Sequence, residues 1–309
     1  MDRVTSDAIR ITRVLCILCM SYVHLHFFDL PGTDFTAIRA IVVDTLGRSS
    51  VPLLSVISGF LMVGFFSKRD YREAATQRAR ALIVPMIIWN SIAVMLWGWS
   101  GLNDILGLTE TSKLIYLTFL RDLFVMSLMT PLLLFLARKL PALLFAGAAV
   151  VYVADISSIL VLRPQILFFY CMGVLIAVNP IKMPAGWKVF AIAALAALCI
   201  LIASFPQLTL NDYFDNLIRR PVTSLGFWAI ALILAERAAR LSNLDRFAFP
   251  FFLSHGIMFY YVGALYADVE FLQFPAAYLV IWLCVPILCF AFIMGIWNRT
   301  GRFGKLITG

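Results

Sequence analysis

IRITRVLCILCMSYVHLHFF, residues 9–28, is long enough to cross a bilayer, yet it carries Arg13, His24 and His26. The next apolar stretch, RSSVPLLSVISGFLMVGFF at residues 48–66, carries Ser49, Ser55 and Ser58. Ionisable and hydroxyl groups are costly in hydrocarbon, so their default place is a protein-lined interior. The pair of stretches therefore predicts a helical membrane protein with a polar site buried among its helices.

Composition agrees. Of 309 residues, 62% are hydrophobic and 14% charged, against about 25% charged in a soluble domain. Apolar runs recur along the whole chain with short polar breaks, and in lipid such runs read as helices because every backbone group must be satisfied internally. Ten spans are expected, at 10–28, 49–66, 82–100, 119–137, 141–158, 164–178, 187–204, 223–238, 247–266 and 275–297. The runs at 164–178 and 223–238 are short and are expected to draw on flanking residues. The fold class is all-α and polytopic, as a single transmembrane domain over residues 1–309.

Charge sets the direction. With the amino terminus inside, the termini and even-numbered connections hold eighteen of the 25 Lys and Arg, and the odd-numbered side holds seven. Both termini are then cytoplasmic. The formal charge of +8 does not indicate nucleic acid, because the basic residues are scattered over short connections. The six cysteines lie within apolar helices; Cys16 and Cys19, though spaced CxxC, read as core residues, and no metal site is expected. No small-residue cleavage site follows the first helix, so a removed signal peptide is not expected.

Arg13 and His24 stand eleven residues apart, on nearly one helix face and separated by about 16 Å along the axis. His26 points away from His24. An imidazole at His24 can act as base and then acid near neutral pH, or it can be a hydrogen-bonded interface residue. Arg78 and Arg80, in QRARALIVP, share the predicted cytoplasmic side with Arg13; three guanidiniums there could hold a polyanion, or serve only as positive-inside charge. Pro85 favours a kink or a late helix start. Asn90 reads as a cross-helix hydrogen-bonding residue. Arg121 and Asp122, neighbours on a helix, need not pair with each other and are candidates for interhelical or acceptor contacts. The polar stretch 205–221, with Asp215, Arg219 and Arg220, reads as a solvent-exposed connection rather than a glycan site. Ser254 and His255 cannot form a Ser–His pair as helix neighbours; His255 is assigned structural support or a place at the donor site.

Arg13-x10-His24, Ser58-Gly59-Phe60, QRARALIVP, FLRDLFVMSLMTPLL at 119–133 and FPFFLSHGIMFYY at 249–261 together resemble the integral-membrane acyltransferase-3 family. That family transfers acetyl or succinyl groups to bacterial surface and exported carbohydrates. The resemblance implies His24 as the catalytic histidine and Arg13, Arg78 and Arg80 as residues handling an acyl-CoA donor. Ser58 and Asn90 become candidates for oxyanion or polar-network support. It implies acetyl-CoA or succinyl-CoA as substrate with no tightly bound cofactor, a carbohydrate acceptor, lipid-linked or free, and a place in the bacterial inner membrane alongside polysaccharide-assembly proteins. Exopolysaccharide O-acetylation or succinylation follows as the expected chemistry, with direct transfer preferred because no hydroxyl or thiol lies in an activated-nucleophile motif. No acidic residue neighbours His24 in sequence. A secondary transporter of a small polar or anionic solute is the alternative, since it too would bury polar groups in broken helices.

Overall fold

The computed structural model describes residues 1–25, 36–157, 161–267, 269 and 275–300. His26 and the glycines of the carboxyl-terminal tail lie outside these residues. Among the described residues ten long helices follow one another: α1 (Arg3–Ser21), α2 (Ser50–Phe66), α3 (Val84–Trp97), α4 (Thr118–Lys139), α5 (Pro141–Val153), α6 (Pro164–Val178), α7 (Trp187–Ser204), α8 (Arg220–Arg237), α9 (Asp245–Ala267) and α10 (Pro275–Thr300). The protein is all-α among the described residues and membrane-embedded. Among the described residues seven helical runs are long and apolar enough to cross a bilayer, while α5 and α6 are shorter apolar helices. α1 falls outside the seven because Arg3, Asp7, Arg10 and Arg13 crowd its first three turns.

Several boundaries differ from the sequence reading: the first helix begins at Arg3 rather than residue 10, the third run at Tyr71 rather than 82, the ninth at Ala239 rather than 247, and the fifth helix ends at Val153 rather than 158. The second run begins at Thr36, not residue 49, because the π-helical turns Ala40–Gly47 join the short helix Thr36–Arg39 to α2 without a break. Residues 205–221 are largely helical rather than an open loop, and although many of them, Leu210, Tyr213 and Leu217 included, are exposed as expected, not all are. They form a 3-10 stretch, Pro206–Leu210, and a short helix continuing through π-helical Asp215–Arg219 into α8, with Asp215 and Arg219 buried. The 223–238 run therefore gains more than two turns at its start. In contrast, α6 keeps the bounds read from sequence, starting at Pro164, whose missing N–H costs nothing in a first turn.

The chain forms two compact units that divide within α2: one from Met1–Val51 with Ala185–Gly301, the other from Pro52–Pro184. In the first unit α1 packs against α8 through Ala8, Ile11, Ala231 and Ala235. Small side chains there let the two backbones approach closely, the usual basis of helix association in lipid. The same unit closes Ala40 over Leu198 and Ile202 of α7.

In the second unit α2 crosses α6 at two glycines. A Cβ on Gly59 would stand 2.1 Å from the Tyr170 carbonyl oxygen, and one on Gly173 would stand 2.0 Å from that of Val56. The glycine of the SGF triplet is thus a packing requirement. Beside this crossing Tyr170 and Thr130 share a buried hydroxyl–hydroxyl hydrogen bond of 2.7 Å.

Candidate active site

The first unit aligns α1 and α9 in parallel. Near one end Arg13 Nη1 donates to Asp245 Oδ2 at 3.1 Å. Near the other the His24 and His255 rings meet with centroids 5.2 Å apart. The intervals match: eleven residues along α1 and ten along α9, each about 15–16 Å of helix. α1 finishes in a 3-10 turn, Tyr22–His24, which presents the half-buried His24 ring at the helix end.

His255 is fully buried. Its Nδ1 lies 2.8 Å from the Phe252 carbonyl oxygen, an acceptor only, so Nδ1 carries the proton in the neutral ring and Nε2 the lone pair. Phe251, Phe252 and Phe259 surround it with centroids 5.5–6.1 Å away. The adjacent Ser254 hydroxyl turns back onto the Pro250 carbonyl at 2.9 Å. Pro250 has no N–H to donate, so α9 loses one backbone bond one turn before His255. The aromatic shell and this proline fix the ring that His24 faces.

The second unit holds the other residues singled out from sequence. Arg78, half-buried, reaches Ser127 Oγ on α4 with Nε at 3.3 Å. Arg80 is exposed, two residues on and on the opposite side of the helical turn. Ser58 Oγ donates to the Leu54 carbonyl at 2.8 Å, the local back-bond of a helical serine. Asn90 is wholly engaged with backbone: Nδ2 donates to the Ile105 carbonyl at 3.2 Å, and Oδ1 accepts from Leu114 N at 2.9 Å. It thereby ties together two points, Ile105 and Leu114, of the segment that joins α3 to α4. In that segment the Ser100 N–H and hydroxyl both donate to Asp104, which holds its carboxyl below the usual carboxylate range.

Arg121 and Asp122 do pair, despite their helical offset, through Nη1 and Oδ1 at 2.7 Å. A long guanidinium can bend round to its neighbour when no other acid is close. Arg121 Nη2 also donates to the Leu108 carbonyl at 3.0 Å, and Arg163 lies 3.6 Å from Asp122 Oδ2. Asp122 is completely buried between the two arginines.

Sequence reasoning did not single out Asp245 or Arg163, and it read Arg219, which is buried, as part of an exposed connection. For Asp245 a signal existed: Asp245-x9-His255 repeats, on a second apolar helix, the spacing of Arg13-x10-His24. Among the described residues no three His, Cys, Asp or Glu side chains gather as metal ligands.

The acyltransferase domain model matches residues 5–296, which takes in both units. The chain is 26% identical over 291 residues to the succinoglycan biosynthesis protein ExoH of Rhizobium meliloti (strain 1021), covering 81% of this chain and 78% of that protein. No solved structure matches it.

Proposed function

Since the chain belongs to the acyltransferase domain family and is a multi-pass enzyme of the bacterial inner membrane that transfers acyl groups to carbohydrate, we propose that His24 is its general base and a cytoplasmic acyl-CoA its donor. The observation that carries the proposal is the facing of His24 and His255 at one end of the α1–α9 pair, with Arg13 and Asp245 at the other. In the proposed step, the His24 imidazole takes the proton of an acceptor hydroxyl as its oxygen attacks the thioester carbonyl carbon. The tetrahedral intermediate collapses with cleavage of the carbon–sulfur bond. The proton passes from His24 to the departing thiolate, leaving an ester and free CoA.

The arginine end suits the donor. CoA carries its phosphates far from its thioester, so a polyanion held near Arg13 leaves the acyl carbon free to reach toward His24, about 16 Å along α1. By the family resemblance Arg78 and Arg80 are assigned to the handling of acyl-CoA. In this reading the cytoplasm lies at the Arg13 end, both termini are cytoplasmic and ten spans are present. The excess of Lys and Arg on that side supports it, as does the parallel run of α1 and α9, which two odd-numbered spans must show. The two units act as one catalytic domain.

Ser58 and Asn90 are assigned to the polar network rather than to the oxyanion, because the hydrogen bonds of both go to backbone. Arg121 and Asp122, locked with Arg163, serve as an interhelical tie. ExoH is named for succinoglycan biosynthesis, and by that likeness the acceptor is a sugar hydroxyl of an exopolysaccharide or its lipid-linked precursor. The reading is tested with purified protein in lipid, labelled acetyl-CoA and succinyl-CoA, and candidate lipid-linked or free glycans, with analysis of the product. Label appearing as a base-labile ester on the glycan, and requiring His24, is the expected result; solute movement without ester formation would refute it.

A further inference from the structure

Ten residues of polar sequence that looked like an ordinary connection hold the largest fully buried side chain of the described residues, Arg219, at 1% exposure. Its Nε and Nη2 both contact Asp215 Oδ1, at 2.7 and 2.5 Å. Arg220 approaches the other oxygen of the same carboxylate with Nη2 at 2.8 Å and gives Nη1 to Asn216 Oδ1 at 2.8 Å. Among the described residues two guanidiniums therefore share one carboxylate, and a positive charge is left over. The donors left over are specific: Arg219 Nη1 and Arg220 Nε are buried with no hydrogen-bond acceptor among the described residues.

One turn further, the hydroxyls of Thr223 and Ser224 are in the same condition. Buried Thr12 of α1 also lacks a partner among the described residues, but Ser50, Ser58, Ser127, Thr130 and Ser254 satisfy their hydroxyls on the carbonyl four residues back. Thr223 and Ser224 do not. Positions 219 and 223, and 220 and 224, lie above one another on the helix. Four unsatisfied groups thus form one short polar stripe on an otherwise apolar helix, with an uncompensated cation in it. A buried charge or polar group without a partner is expensive, and a forked guanidinium beside hydroxyls matches a planar oxyanion.

The stripe stands at the His24 end of its unit. α8 is linked to α9 by six residues of 3-10 helix, Ala239–Leu244, that pack on α1, so α8 runs antiparallel to α9 and hence to α1. Starting from the shared contact of Ile11 and Ala231, His24 lies about 20 Å along α1 and Arg219 about 18 Å back along α8, in the same direction.

We propose that Arg219 and Arg220, with Thr223 and Ser224, bind a carboxylate carried by one of the two substrates. The charge excess of one matches a monoanion. That a substrate brings it rests on the acyl-transfer reading; that an oxyanion binds there does not. The carboxylate has two sources, the far end of a dicarboxylic acyl chain or an acidic substituent of the glycan.

The test uses the full chain in lipid nanodiscs. Thermal stabilisation by sodium succinate is compared with that by succinamide, and by sodium glucuronate with that by glucose, at matched ionic strength. The proteins are the wild type, Arg219→Gln, Arg219→Lys and Thr223→Val. One acid should stabilise the wild type where its uncharged counterpart does not; the shift should vanish in Arg219→Gln and shrink in Thr223→Val. No turnover is needed, so stabilisation without any acyl transfer would uphold the site and refute the enzymatic reading.

Kinetics then name the source. A fall of about tenfold in the preference for succinyl-CoA over acetyl-CoA in Arg219→Gln places the carboxylate on the acyl chain. A similar fall in preference for acidic over neutral oligosaccharide places it on the glycan. If Arg219→Gln does not fold, Thr223→Val and Ser224→Ala carry the same comparisons. Equal stabilisation by acids and their neutral counterparts, or both preferences unchanged in a folded variant, overturns the proposal.

Discussion

His255 Nδ1 points at the Phe252 carbonyl oxygen, 2.8 Å away, which leaves the Nε2 lone pair as the basic edge of the ring that His24 faces. An imidazole so fixed can orient a second imidazole without being charged itself. His255 is accordingly a positioning residue for His24. His255→Phe should lower kcat by about 10²-fold, the scale of a small misplacement of a reacting group. KM for acyl-CoA should change little, and the acid limb of the pH–rate profile should move. A change confined to KM would contradict this role.

The Arg13–Asp245 pair is partly open to its surroundings, with side-chain exposures of 39% and 20%. Its contribution to stability is therefore small, about 0.5 kcal/mol. Arg13→Ala should instead raise KM for acyl-CoA, and Asp245→Asn, which frees the guanidinium, should lower it. Measured KM values moving in the same direction in the two variants would count against Arg13 as a donor residue.

Gly59 and Gly173 meet backbone across the α2–α6 crossing, whereas a Cβ at Gly64, on the same helix, would meet nothing within 4 Å. Gly59→Ala should cost about 1–3 kcal/mol of stability by overpacking. Gly64→Ala should cost nothing and gain about 1 kcal/mol of helix propensity. Thermal unfolding in detergent reads both, and equal midpoints would show that the crossing relaxes freely.

Asn90 bonds Ile105 and Leu114 through opposite ends of its amide. Asn90→Leu keeps the branched shape but leaves the Leu114 N–H and the Ile105 carbonyl unpaired, at about 1–3 kcal/mol each. Hydrogen exchange in residues 100–114 should accelerate while α4 stays protected. Unchanged exchange there would leave Asn90 without its structural role.

Much of this was legible from sequence, for identifiable reasons. α6 and α7 follow from apolar runs closed by Pro and Gly signals, and their bounds match. The second run escaped because Asp44, Arg48 and the serines beside it look like a break, although π-helical turns carry the chain through. The buried turn at Asp215–Arg219 escaped for a similar reason. Paired charges read as solvent-facing one residue at a time, and only a helix places Asp215 beneath Arg219, four residues on. At the site, Arg13 and His24 were legible because both sit on one apolar helix. His255 was singled out too, but its pairing with His24, and that of Asp245 with Arg13, was not legible, since the partners are more than two hundred residues apart and periodicity carries no information across that distance.

The most direct measurement is single-turnover transfer of labelled acyl groups from acyl-CoA to glycan by wild-type and His24→Ala protein, matched for insertion and thermal midpoint. The account predicts a loss of about 10²–10⁴-fold in the chemical step for His24→Ala with donor binding retained. Transfer at the wild-type rate by a correctly folded His24→Ala protein would contradict it.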